Sequence, residues 1–134
     1  MIIDPRILAD TLEICTTGNA QIRLMNDIRW PWLILLPVQA DIQELHDLTS
    51  EQRKLFMTEV NRASRVMKET TGCLSVNIAM LGNVVPQLHC HVVARHEGDP
   101  NWPGPVWGHE APRAYTGQAP VALMDAVRSA FTRE

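Results

Sequence analysis

Gln87-Leu88-His89-Cys90-His91-Val92-Val93 alternates polar and apolar side chains as far as Val92. In an extended chain successive side chains point to opposite sides, so this alternation predicts a strand, read over 87–95. Gln87, His89, His91 and Val93 share one face of it; Leu88, Cys90, Val92 and Ala94 share the other. The second set is wholly apolar and is expected in the core. The first set leaves one amide and two imidazoles in line on a polar ledge, roughly 7 Å apart at each step of two residues. A neutral imidazole is nucleophilic near pH 7 and a phosphorylated ring is a good leaving group, so two histidines at this spacing suit phosphoryl chemistry. One attacks, and the other binds phosphate oxygens or donates a proton. The turn Leu81-Gly82-Asn83 upstream offers backbone N–H groups to a phosphate. On the histidines alone, structural and metal-binding roles stay open.

Working outward, Thr49-Ser50-Glu51-Gln52 has the form of a capping box, and Leu55, Phe56, Val60, Ala63 and Met67 mark one face of a helix over 50–70. Gly72 is its expected C-terminal cap, and a strand over 74–80 follows. Upstream, 20–25 and the apolar run 32–36 read as a hairpin across the turn Asn26-Asp27. Asp4-Pro5 is a helix start, with the first helix expected to close near Gly18-Asn19. Residues 96–118 are rich in Pro, Gly and Trp and read as an irregular, aromatic-pinned arm, and a last helix is expected over 119–132. Strands joined by tight turns rather than helical crossovers imply an antiparallel sheet, hence an α+β class.

The 134 residues, 46% of them hydrophobic, suffice for one packed core, so a single domain over 1–134 is expected, with its centre at about 20–95 and an arm and helix over 96–134. The formal charge of −3, with basic residues scattered, argues against a nucleic-acid polymer as partner. Cys15, Cys73 and Cys90 form no C-x-x-C pair, which fits a reducing compartment. The longest apolar run, 30–38, is too short to span a bilayer, so the expectation is a cytoplasmic protein without a membrane partner.

The segment Gly82-Asn83-Val84-Val85-Pro86-Gln87-Leu88-His89-Cys90-His91-Val92-Val93 resembles the histidine triad (HIT) superfamily, whose pattern is His-φ-His-φ-His-φ-φ, where φ is apolar, with a glycine five residues before it. The resemblance covers roughly 20–95. It implies a HIT-like α+β fold with an antiparallel sheet of about five strands, a long helix and terminal helices, paired as a two-fold homodimer. It also implies a nucleotide hydrolase or transferase acting on the α-phosphate of nucleoside phosphoramidates, phosphoesters or dinucleoside polyphosphates through a nucleotidyl-histidine. The family's nucleophile falls on His89, the phosphate-assisting histidine on His91, the ribose-binding Asn or Asp on Asn26 or Asp27, and a further asparagine on Asn77. Gly82 is the motif glycine, and Asn83 replaces a phosphate-contacting glutamine. No obligate cofactor is implied, although Mg²⁺ can arrive with the substrate.

Four positions depart from the pattern: Gln87 replaces the first histidine, Val84 a hydroxyl near the leaving group, and Trp32 and Ala40 further histidines. Gln cannot titrate and Val neither donates nor accepts, so protonation of the leaving group is the weakened step. One alternative is therefore a nucleotide-binding protein with little turnover; another is a metal site at His89 and His91, completed by His46, His96, His109, Glu97 or Asp99. His46 and His109 read as solvated, His96 as rim or substrate contact, Cys90 as an inert core residue, and Arg95 as either a surface charge or a phosphate contact. Trp102 and Trp107 could wall a base pocket, cover a partner subunit or cap the sheet edge, the latter two being the expectation.

Overall fold

The computed structural model describes residues 1–132. The chain runs α1 (Pro5–Asp10), β1 (Thr11–Thr16), β2 (Ala20–Met25), β3 (Trp32–Pro37), α2 (Ser50–Thr71), β4 (Ser75–Met80), β5 (Cys90–Arg95) and α3 (Val121–Thr132), with a short 3-10 turn at Leu45–Asp47. The five strands form one antiparallel sheet in the order β1-β2-β3-β5-β4. The class is α+β with a five-stranded antiparallel sheet, as expected.

The long helix starts where its capping box places it: Thr49 accepts from the Gln52 backbone N–H, and Gln52 returns a bond to the Thr49 N–H. It ends at Gly72, whose φ of 65° is the left-handed conformation that glycine adopts without a Cβ clash. Phe56, Val60, Ala63 and Met67 are buried on its sheet-facing side, whereas Leu55 lies off that side and is exposed.

Two expectations are corrected here. The first helix does not run to Gly18-Asn19; it stops at Asp10, and Thr11–Thr16 is strand β1, pairing with β2. Its apolar residues Leu12 and Cys15 fit either period over so short a span, and the β2 edge decides for the strand. The histidine strand does not begin at Gln87. Cys90 is the last residue that Leu35 of β3 and Met80 of β4 can pair, so Gln87, Leu88 and His89 form an extended lead-in.

Each sheet face carries its own core. Ile22, Leu24, Leu33, Leu35, Cys90, Val92 and Ala94 pack under α2 and α3. Trp32, Ile34, Leu36 and Val93 point the other way and pack with Ile7 of α1, Trp30 and Val106. β3 and β5 are therefore buried on both faces, and the histidine side is roofed.

Candidate active site

The polar ledge is roofed, and His89 and His91 retain only 7% and 5% exposure. Their rings lie 4.9 Å apart, centroid to centroid, at 68°. His91 also meets Trp32 at 5.6 Å and Trp107 at 5.4 Å, so three aromatic rings hold it. Both histidines line an open cleft of about 440 Å³ together with Asn83, Val84, Val85 and Trp107.

The hydrogen bonds of the two rings identify their tautomers. His89 Nδ1 lies 2.7 Å from the Gln87 carbonyl oxygen, which can only accept, so Nδ1 carries the proton and Nε2 the lone pair. The indole Nε1–H of Trp32 can only donate, and it donates to His91 Nδ1 at 3.0 Å, so His91 carries its proton on Nε2. Neither Nε2 atom bonds to a described residue, and neither is among the buried polar atoms without a partner, so both open to the cleft. Burial first, and the neighbouring His89 second, hold the His91 pKa down at about 3. His91 is thus a neutral N–H donor at physiological pH rather than an acid. Burial pushes the Cys90 thiol up to about 12, which makes it the inert core residue expected.

Gln87 is not in line with the histidines. Its amide oxygen accepts from the Asp4 backbone N–H at 2.7 Å, and its amide nitrogen donates to the Ile2 carbonyl at 3.0 Å. This side chain clasps the N-terminal segment. Arg6 extends the same connection, donating to the Val84 carbonyl while pairing with Asp4, and it lines a small lobe of about 60 Å³ beside both histidines. Arg6 holds the Asp4 carboxyl down at about 2.

The expected nucleotide-binding residues disperse. Asn26 accepts from the Tyr115 backbone N–H. Asp27 is 2% exposed and forms a two-point ion pair with Arg29, whose guanidinium lies 4.3 Å from the Trp30 ring centre. Asp27, Asp10, Met25, Trp32 and Trp107 nevertheless share a cleft of about 200 Å³, and Trp107 joins it to the histidine cleft. Asn77 accepts from Arg95 and is not among the residues lining the histidine clefts. The chain bends openly at residues 83–84 rather than in a tight turn at Gly82, which has room for a side chain; Asn83 lines the histidine cleft.

Arg95 is neither a surface charge nor a phosphate contact. At 1% exposure it binds both carboxylate oxygens of Asp99 and the Gly104 carbonyl, with Trp30 and Trp102 flanking it. It anchors the arm. His96 faces the Thr71 carbonyl, His46 is solvated, and His109 is only half-exposed, edge-on to Trp30. Among the described residues no three His, Cys, Asp or Glu side chains converge, and no helix is long and apolar enough to cross a membrane. Sequence reading missed Arg6 and Asp10, for which the chain carries no local signal. It also missed that Trp107 lies against the histidine of its own chain; the rigid Gly/Pro setting of that tryptophan was the available clue.

A family model described as HIT domain matches residues 9–98. Among solved structures, a histidine triad protein from Sinorhizobium meliloti 1021 is 44% identical, over 96% of this chain and 95% of that one, with a TM-score of 0.92. One from Bradyrhizobium japonicum is 39% identical, over 97% of each chain, at 0.93. One from Marinobacter aquaeolei VT8 is 38% identical, over 97% of this chain and 95% of that one, at 0.92. A search of curated proteins returns no match.

Proposed function

This chain belongs to the HIT domain family, whose members are in general nucleotide-binding hydrolases or transferases, and from that premise we propose that it hydrolyses or transfers a nucleotide through a nucleotidyl-His89 intermediate. The observation that carries the reading is the bond from His89 Nδ1 to the Gln87 carbonyl, which leaves an Nε2 lone pair in the cleft. Nε2 attacks the α-phosphorus of a nucleoside phosphoramidate, phosphoester or dinucleoside polyphosphate. The bond from phosphorus to the leaving group breaks, and that group takes the electron pair and a proton from solvent. The ring is then cationic, and its Nδ1–H donates more strongly to the carbonyl. Water next attacks phosphorus and gives up a proton to solvent, the P–N bond breaks with its electron pair returning to Nε2, and the mononucleotide leaves the neutral ring. His91 Nε2–H binds phosphoryl oxygen throughout.

The cleft around Met25, Trp32 and Trp107 suits a base, and the exposed Asp10 brings a carboxylate to the ribose side. The protein needs no resident metal; a polyphosphate brings its own Mg²⁺. We further propose a two-fold homodimer.

A second reading, nucleotide binding with little turnover, is favoured by one observation: both polar atoms of the Gln87 amide are taken by the N-terminal segment, and the neighbouring Val84 is apolar, so no side chain there protonates a leaving group. Incubation with an adenosine phosphoramidate, an acid-free quench and intact mass measurement separates the two. Wild-type protein is expected to gain one adenylyl group and to turn over with or without chelator, and His89→Ala to do neither. Undiminished turnover by His89→Ala would sink the mechanism.

A further inference from the structure

Trp32 occupies a defined place in the histidine cluster. Its side chain leaves β3 on the same sheet face as His91, and its residue pairs with Val93, one strand alternation beyond His91. The ring is 6% exposed, and its single polar atom is spent on His91 Nδ1. An indole N–H has no acceptor capacity and does not titrate in the physiological range, so the bond has one polarity at every pH at which the protein folds. A histidine in the same place could present either a donor or a lone pair and would leave the tautomer of His91 free to follow it.

We propose that Trp32 is a positioning residue for the reaction: by donating to His91 Nδ1 it keeps the His91 proton on Nε2, in the cleft beside the His89 nucleophile. The inference rests on the hydrolase reading for its catalytic consequence and on geometry alone for the tautomer. Three further observations carry it. Trp107 packs on His91 at 74° and on Trp32 at 88°, so the donor and the ring it fixes are held by the same third aromatic. Trp30 meets Trp32 edge-on at 6.1 Å and restrains the indole from behind. The ionisable groups lining the cleft lobes with His91 are His89, from the lead-in to β5, and Arg6 and Asp10 of α1; none is hydrogen-bonded to His91. Asp4, beside them, is paired with Arg6, and the arm contributes Trp107 and Gly108, which do not titrate. Trp32 alone is left to select the tautomer.

The wild-type protein and Trp32→Phe, which removes the donor and keeps an aromatic ring, are to be compared by long-range proton–nitrogen correlation spectra of the imidazoles between pH 5 and 8, alongside turnover of an adenosine phosphoramidate. Expected for the wild type is a His91 with protonated Nε2 and bare Nδ1 that does not change across that range. Trp32→Phe should show both tautomers, with kcat lowered on the order of tenfold. Trp32→His, which can restore an N–H, should recover part of the loss. A wild-type His91 protonated on Nδ1 overturns the inference, and it does so even where Trp32→Phe fails to fold. So does a folded Trp32→Phe with an unaltered His91 spectrum and unaltered kcat. A wild type with the stated tautomer but no turnover supports the hold of Trp32 on His91 and counts against the hydrolase reading instead.

Discussion

At the scale of single residues, two side chains of one type, two positions apart, are driven to opposite tautomers by what their Nδ1 atoms touch. His89 meets a carbonyl and His91 an indole N–H, and this difference divides nucleophile from donor. The neutrality of His91 has a cost in acid. Its folded pKa of about 3 lies below the ordinary 6.5, so below pH 6.5 the unfolded chain binds a proton that the folded chain does not. The stability that His91 leaves intact above pH 6.5 is lost as pH falls towards 3, by up to about 1.4 kcal/mol per pH unit. Urea unfolding midpoints between pH 7 and 4 should fall accordingly, and His91→Gln should flatten that slope; an equal slope in the variant would place the acid sensitivity elsewhere.

At the scale of elements, the start of the arm, residues 99–104, is anchored by one buried cation. Arg95 ends β5, and its guanidinium holds Asp99 and Gly104 between two indole rings, so the chain that leaves the sheet is turned back over the histidine face. Arg95→Met leaves the Asp99 carboxylate without its partner and should cost about 3–5 kcal/mol. The arm should loosen before the sheet, read as faster hydrogen exchange over 99–108 and a red-shifted tryptophan emission. Unchanged exchange there would show that other contacts, such as the bond from Trp30 Nε1 to the Pro100 carbonyl, hold the arm without it. The helices behave more simply: α2 begins and ends within a residue of its capping box and its glycine, because those signals act within one turn of the chain.

At the scale of the whole molecule, the sheet ends in β4, whose outer edge no strand among the described residues covers and whose Ile78 is 47% exposed. The proposed dimer has its natural seam there, where a second β4 would satisfy the free edge. Ile78→Lys is expected to shift the protein to monomer in sedimentation at micromolar concentration, and an unshifted dimer would place the interface elsewhere. The sequence by itself determined the α+β class, the capped long helix, the β2–β3 hairpin and the identity of the two cleft histidines, since alternation, helical period and capping are local physical signals. Only the tertiary structure decided that 11–16 is a strand, because a six-residue segment takes its period from the edge it pairs with. Only the tertiary structure roofed the histidines, turned Gln87 to the N-terminus, buried Arg95 and placed Trp32 on His91, since each depends on which distant segment covers that sheet face. A short pattern specifies which way a side chain points; what it meets there is set by packing between segments far apart in the chain.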